Sequence, residues 1–292
     1  MLVAYAGESI PCVTVVALAD ELLSRELVLR LGVFLGIFLL MNVWEIVAAR
    51  RARPVSRLRR WPGNLSVAVL GALLARAVAP TGAVGFALLV EQHGGGLLRR
   101  VSGPEGLKFV VAIVVLDFAI YVQHRLFHGV PLLWRLHRMH HADVDVDVTT
   151  GARFHPGEML LSLGFKCLVI AALGVPAASV LVFEVLLNAT AMFNHSNVRV
   201  PERWERVLRW FIVTPDLHRV HHSVVRQETD SNFGFNLPWW DWLFRTYRAQ
   251  PASGHDGMTL GLDQFRHPAE LRLDRMLTQP FRTLDAERRG PQ

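Results

Sequence analysis

The sequence predicts an all-α fold: a polytopic integral membrane bundle of helices with a histidine-rich cap on its cytoplasmic side. Three observations lead to this prediction. Of the 292 residues, 51% are hydrophobic and only 19% are charged, which is too apolar for an ordinary soluble domain. The apolar residues are gathered in long blocks, as membrane-spanning segments require. Histidines, 13 in all, concentrate between and after the later blocks.

Two apolar blocks predict spans in the N-terminal region. Residues 27–49 form an apolar run whose charged residues, Arg30 and Glu45, lie near its ends, where long side chains can reach water. Residues 65–90 form a second run, interrupted by Arg76 and by the sequence Ala79-Pro80-Thr81-Gly82. Because proline breaks the helical hydrogen-bond ladder, we expect this second span to be kinked.

Two more apolar blocks follow. Residues 107–123 predict a third span, and residues 158–193 are divided into two halves by Gly174-Val175-Pro176. Each half is slightly short for a hydrocarbon core of about 30 Å, so we expect a helical hairpin that returns to its side of entry. These blocks predict three regions: a membrane region at 1–106, a histidine-rich domain at 107–250 and a tail at 251–292.

The net charge of +6 comes with a cluster of arginines between residues 50 and 60, directly after the first predicted span. This position favours lipid headgroups over nucleic acid, for which the sequence has no recognition motif. The positive-inside rule puts the cluster in the cytoplasm, and two further crossings return residue 124 and its successors to that side. We therefore expect the histidines at the cytoplasmic face, in a bacterial inner membrane. Arg99, Arg100 and Lys108 then lie outside, against the rule.

Ten histidines follow a pattern that favours metal binding. An isolated histidine near a membrane surface is usually solvated, but that reading does not predict one H-x-x-x-H and two H-x-x-H-H motifs. On a helix this spacing stacks imidazoles on one side. We interpret His93, His255 and His267 as ordinary residues. The candidate metal ligands are His124, His128, His137, His140, His141, His155, His195, His218, His221 and His222.

The ligand type narrows the choice of metal. The two cysteines, Cys12 and Cys167, are far apart in apolar stretches, which disfavours both a disulfide framework and a thiolate zinc site. Eight to ten imidazoles exceed the capacity of one ion, so two metal ions fit better, and imidazole suits iron, zinc, copper or nickel. A soluble di-iron bundle would carry paired E-x-x-H motifs, which these spans lack.

At residues 107 to 250 the sequence resembles the membrane-bound fatty acid hydroxylase or sterol desaturase superfamily, a group of histidine-rich, non-haem di-iron proteins. The stretches that carry the resemblance are Asp117-Phe-x-x-Tyr121, His124-Arg-x-x-His128, Trp134-x-x-His137-x-x-His140-His141, Arg153-Phe-His155-Pro156-x-Glu158, Asn194-His195-x-Asn197, Pro215-Asp216-x-His218-x-x-His221-His222, Asp230-Ser-Asn232-Phe-Gly234 and Trp240-Asp241-x-Leu-Phe244. The chain departs from the family at Asn197, Val198 and Arg199, where hydroxylases commonly carry a further histidine.

The resemblance implies two iron ions bound by the eight histidines of the three boxes, joined by His195 and by His155. It implies an O2-dependent hydroxylase or desaturase that oxidises a C–H bond of a sterol or hopanoid, a fatty acyl chain or a polar lipid, with hydroxylation preferred. Gly94-Gly95-Gly96 is not a nucleotide fingerprint, so we expect electrons from a separate donor protein.

Several polar residues are candidates for a supporting role around the histidines. Asp117, Asn197 and Asp216 are the predicted catalytic residues beside the ligands. Carboxylates such as those of Asp117 and Asp216 commonly orient ligating imidazoles, and Asn197 belongs to the same stretch of the resemblance as His195. Asp143, Glu158 and Asp230 are further candidates of this kind, and capping or solvation is the ordinary alternative for each carboxylate.

A different class of function uses the same histidines without oxidation, in a membrane metal-binding or metal-transport protein. Transport requires polar or ionisable residues along a path through the spans, and Arg76, Asp117 and Lys166 are the main ones that the blocks offer. An inactive scaffold would be expected to have lost ligands, and the histidine boxes are intact.

Overall fold

The computed structural model describes residues 12–282, and within that range the chain forms helices and no β-strand. Residues 1–11 and 283–292, which belong to the predicted N-terminal region and C-terminal tail, lie outside the described residues. The first six helices are α1 (Cys12–Ser24), α2 (Glu26–Val47), α3 (Arg57–Val78), α4 (Gly82–Gln92), α5 (Leu97–Arg100) and α6 (Glu105–Gly129). The histidine-rich part continues with α7 (Pro131–His141), α8 (Pro156–Leu173), α9 (Ala177–Asn194), α10 (Glu202–Leu208) and α11 (Pro215–His221). The last four are α12 (Arg226–Thr229), α13 (Trp239–Leu243), α14 (Gly254–Gly257) and α15 (Leu273–Thr278).

Four stretches of these helices are long and apolar enough to cross a membrane, which confirms a polytopic helical bundle. They are Glu26–Val47, Arg57–Arg100, Pro156–Leu173 and Ala177–Asn194. The predicted span at 107–123 is helical within α6, but α6 is not one of the four, and its crossing stays a prediction. Helix α2 exposes most of its large apolar side chains, as a lipid-facing helix does.

The two predicted interruptions are confirmed. Helix α3 ends at Val78, and α4 begins at Gly82 after the turn that contains Pro80. Helix α8 ends at Leu173. Its C-terminal cap, Gly174, has a left-handed φ of 65° and packs against the backbone of Gly95 and Gly96, so a side chain at 174 would clash. Pro176 then precedes the first turn of α9. Residues 158–193 therefore form two helices joined by a short turn, and the return of the chain to its side of entry stays a prediction.

The long helices pack in pairs, and the site histidines lie on α6, α7 and α11 and at the C-terminal caps of α9 and α11. Helix α2 packs on α9, α3 packs on α8, and α6 packs on both α7 and α9. A shared apolar core of small and branched side chains lies between α4, α6, α8 and α9, with Ala87, Leu116, Ile170, Val180 and Phe183 fully buried. Burial of these side chains fixes the helices relative to one another, and so fixes the loops at their ends.

A buried arginine braces the loop that follows α7. Arg60, near the start of α3, donates to both carboxylate oxygens of Asp143 at 2.8 Å and to Asp147 at 2.7 Å. Its guanidinium also contacts the carbonyl oxygen of Asp145. The three aspartates therefore surround the guanidinium of Arg60. The loop begins directly after His141, so this arginine helps to position the end of α7.

Glu45 also holds the loop that follows α7. Its buried carboxylate accepts hydrogen bonds from the backbone amides of Val148 and Asn197, both at 2.9 Å, and pairs with Arg57. One side chain on α2 thus holds the loop after α7 and the segment that follows His195.

We predict that Arg60→Met strongly destabilises the protein, because removal of one partner leaves the carboxylates of Asp143 and Asp147 buried without their counter-charge. The expected cost is about 3–5 kcal/mol. It would appear as a clearly lower midpoint of thermal unfolding of the purified protein in detergent. Arg59→Met is the matched control, because Arg59 is exposed beside it; equal midpoints for the two variants would contradict the bracing role.

Candidate metal centre

Nine of the ten predicted histidine ligands meet in two neighbouring groups. In each group the ligand nitrogens all lie within 4.8 Å of one another. Eight of the nine residues are buried, and the side chain of His128 is only 3% exposed. The first group contains His124, His128, His137, His141 and His221, and the second contains His140, His195, His218 and His222.

The two groups adjoin each other because the H-x-x-H-H motifs contribute to both. The rings of His141 and His222, one from each group, are stacked with centroids 4.6 Å apart. The centroids of His137 and His140 are 5.2 Å apart. Adjacent histidines of one motif thus point into different groups, which makes the arrangement suited to a pair of metal ions.

Local sequence explains why these segments are helical. Pro131 and Pro215 occupy the first positions of α7 and α11, where the missing amide hydrogen costs nothing. The hydroxyl of Thr214 caps α11 by accepting from the amide of Leu217. His195 is the residue at the C-terminal cap of α9.

Six of the nine rings are oriented by a hydrogen bond from the nitrogen Nδ1 to an oxygen atom. Because a carbonyl or carboxylate oxygen only accepts, Nδ1 carries the proton, and Nε2 keeps a lone pair. This is the arrangement in which proteins present histidine to metals. The partners are Phe233 O for His124 (2.8 Å), Glu158 Oε1 for His137 (2.6 Å), Arg153 O for His140 (3.2 Å), Ala191 O for His195 (2.7 Å), Ser231 O for His221 (2.7 Å) and Asp230 Oδ1 for His128 (3.3 Å).

The remaining nitrogens face one another with their lone pairs, an arrangement that suits a shared cation. The Nε2 atom of His124 lies 3.1 Å from the Nε2 atom of His137 and 3.1 Å from that of His221. The Nε2 atom of His140 lies 3.2 Å from that of His195. Since both atoms of each pair lack a proton, they cannot hydrogen-bond to each other. If two ligand nitrogens each lie about 2.1 Å from one ion, with an angle of about 90° between them at the ion, they are about 3.0 Å apart. The observed separations are close to this value. Both nitrogens of buried His222 are also without a protein partner. The donor set therefore fits metal ions.

Burial keeps the rings neutral, which metal binding requires. Desolvation lowers the pKa of His140, His141, His218 and His222 well below the usual value, and neighbouring imidazoles lower each further. Burial lowers the pKa of His221 to about 3. All five rings are therefore neutral at neutral pH, and each keeps one nitrogen lone pair available to a metal.

The other predicted site residues lie outside the two groups. His155 caps the start of α8, where its Nδ1 accepts from the amide of Gly157 at 3.1 Å. Asp117 accepts from the indole of Trp240 at 2.7 Å, and Asn197 bonds to the backbone of Arg51. Asp216 pairs with Arg50 and Arg219, and Arg219 lowers the pKa of that carboxyl. Within the described residues, none of these four side chains hydrogen-bonds to any of the nine rings.

Other groups take the supporting role. Of the candidate carboxylates, Glu158 and Asp230 contact ligand rings, whereas Asp143 pairs with Arg60. Four further supports are backbone carbonyl oxygens, which no residue type identifies in a sequence. The sequence feature that pointed to these carbonyls is the Asp230-Ser-Asn232-Phe-Gly234 stretch, which supplies two of them. Within this stretch Asn232 has a left-handed φ of 51°.

An apolar cavity of about 610 Å³ reaches the histidines from the membrane region. It lies between the pair α2–α9 and the pair α3–α8, and His124, His137 and Glu158 line its inner end. Leu31 and Val69, on α2 and α3, line it while exposing more than half of their surface. The cavity thus connects the histidines with the lipid-facing side of the bundle.

The segment that holds these histidines matches known proteins. Residues 109–246 match the fatty acid hydroxylase family. Similar proteins include ornithine lipid hydroxylase OlsE of Rhizobium tropici, 32% identical over 158 residues (53% of this chain and 47% of that protein). Alkylglycerol monooxygenase of Homo sapiens is 29% identical over 157 residues (53% and 34%), and cholesterol 25-hydroxylase of Rattus norvegicus is 26% identical over 147 residues (49% and 48%).

These matches cover less than half of the length of each relative. No solved structure matches the chain significantly. The matched segment contains all nine converging histidines, so sequence similarity and site geometry agree on the same part of the molecule. This segment therefore belongs to the fatty acid hydroxylase superfamily.

Proposed function

We propose that the two histidine groups hold two iron ions and that the protein is an O2-dependent oxidoreductase acting on a C–H bond of a membrane lipid. The observation that carries the proposal is the set of facing, unprotonated Nε2 atoms at the end of an apolar cavity. Imidazole suits several metals. We favour iron among them, because the chain is similar to a family of lipid hydroxylases and monooxygenases. When bound, such ions supply the activation of dioxygen that no side chain provides.

The protein's own residues would position the metals and the substrate. Glu158 holds the ring of His137 at the cavity wall, and Phe154 stacks on His140 with centroids 4.5 Å apart. Apolar side chains such as Phe127, Met192 and Phe235 line the rest of this end and keep water away. A long hydrocarbon chain can thus lie in the cavity with one carbon near the histidines.

The substrate would enter sideways from the bilayer, because the cavity opens between lipid-facing helices. A sterol or hopanoid, a fatty acyl chain and a polar lipid such as an aminolipid are all compatible with it. Hydroxylation is preferred over desaturation, since the similar proteins include hydroxylases and monooxygenases. We further propose that the site faces the cytoplasm of a bacterial inner membrane, as the arginines at residues 50–60 favour.

Electrons would come from a separate donor protein. Gly94-Gly95-Gly96 forms the turn between α4 and α5 and follows a helix, whereas a dinucleotide fingerprint follows a strand.

The activity is tested by oxygen consumption of the iron-loaded protein in detergent with a total lipid extract and a chemical reductant. We expect consumption that depends on lipid, and lipid products that have gained one oxygen atom or lost two hydrogen atoms, as read by mass spectrometry. Full iron occupancy without any lipid-dependent oxygen use would instead favour a metal-binding or transport protein.

We predict that His140→Ala and His221→Ala each lower the bound iron, because each removes a ligand from a different group. The readout is iron per chain by elemental analysis, with no need for turnover. His155→Ala is the matched control: since His155 caps a helix outside the groups, this variant should keep its iron. Retained iron in both ligand variants would refute the assignment.

Glu158→Gln should weaken iron binding by about 10–100-fold, because the acceptor that orients His137 is weakened. The measurement is an iron competition titration with a chelator of known affinity. Glu202→Gln, an exposed change on α10, serves as the control. Equal iron affinity in the two variants would show that Glu158 does not support the site.

A further inference from the structure

Within the membrane helices a second polar cluster lies away from the histidines. Glu184 on α9 accepts from Arg30 of α2 at 2.6 Å and also pairs with Lys166 of α8. Arg30 pairs in addition with Glu26, at 2.8 Å, near the start of α2. Ionisable residues inside spans are costly, so a functional role is the first hypothesis for them.

Lys166 differs from the rest of the cluster because it lines the cavity that reaches the histidines. Its ammonium group has three hydrogen-bond donors, and Glu184 is the partner of one. Arg30 shares the carboxylate of Glu184 and also pairs with Glu26, so the two cations and two carboxylates of the cluster balance in charge. What remains at the mostly apolar cavity is an ammonium group with spare hydrogen-bond donors.

The lysine lies at a defined distance from the histidine end. Glu158, which contacts His137, and Lys166 both line the cavity and are eight positions apart on α8. At about 1.5 Å per residue, this separation is about 12 Å along the helix. Between them the wall is largely apolar, with Ala68 and Ala72 of α3 among the lining residues. The cavity thus has an ammonium group and a metal centre separated by a hydrocarbon-lined stretch.

Resting on the proposed function, we propose that Lys166 binds a carboxylate of the lipid substrate and thereby sets which carbon reaches the histidines. A single charged group at one end and the reacting carbon at the other would fix the position of the chain in the cavity. Arg30 is already paired with two carboxylates, so the ammonium group of Lys166 is the cation left to bind the substrate. One ammonium group matches one singly charged carboxylate. Glu184 and Arg30 hold the lysine in place and are positioning residues.

The proposal is tested by ligand binding to the purified full chain, without reductant. The probes are stearate with a nitroxide spin label near its methyl end, and the methyl ester of the same molecule. Electron paramagnetic resonance gives the immobilised fraction of each. We expect the wild type to bind the acid about tenfold or more tightly than the ester, as one charge-assisted hydrogen bond provides.

Lys166→Met should remove this preference, and Lys166→Arg should keep it. Lys108→Met is the matched control, because Lys108 is the one other lysine of the sequence, pairs with Glu105 at the start of α6 and does not line the cavity. Equal binding of acid and ester by the wild type, or an unchanged preference in Lys166→Met, would overturn the proposal. The wild-type comparison decides even if the methionine variant does not fold.

The outcomes separate this proposal from the proposed function. A preference for the acid in a protein that never consumes oxygen would support the lysine site and count against the oxidase activity. Lipid oxidation by a wild type that does not distinguish acid from ester would overturn the lysine site alone.

Discussion

The candidate metal centre depends on one kind of interaction, the hydrogen bond from the Nδ1 atom of an imidazole to a fixed oxygen. Six such bonds decide which nitrogen of each ring keeps its lone pair and where that lone pair points. Without them the rings could hydrogen-bond to one another, and the site would be a buried polar network with no need of a metal. With them, the facing nitrogens direct their lone pairs to a common point, as a shared metal ion requires of its ligands.

Most of the remaining structure can be understood as support for these oxygens. The carbonyl groups of Ser231 and Phe233 belong to a segment that Asp241 holds through the amides of Phe233 and Gly234, both at 2.8 Å. Arg60 and Glu45 both hold the loop after α7, Arg60 through Asp143 and Glu45 through the amide of Val148. The two histidine groups and the oxygens that orient them thus come from segments that are distant in sequence. The packing of the membrane helices brings these segments together.

The sequence predicted the helical membrane fold, both helix breaks and the convergence of nine histidines, because each depends on local spacing: apolar run length, proline and glycine position, and repeats of three or four residues. His155 shows the limit of this reasoning, since it belongs to a helix cap although it stands among the motif residues. The places of Asp117, Asn197 and Asp216 depend on partners more than a hundred positions away, such as Trp240 and Arg50. The supporting carbonyl oxygens carry no residue identity and could not be read from the sequence.

The most direct test of the account is anomalous diffraction at the iron absorption edge from crystals of the iron-loaded protein. We expect two anomalous peaks per chain, one among His124, His137 and His221 and the other among His140, His195 and His218. A single peak, or peaks away from these rings, would contradict the central claim that the two histidine groups form a pair of metal sites.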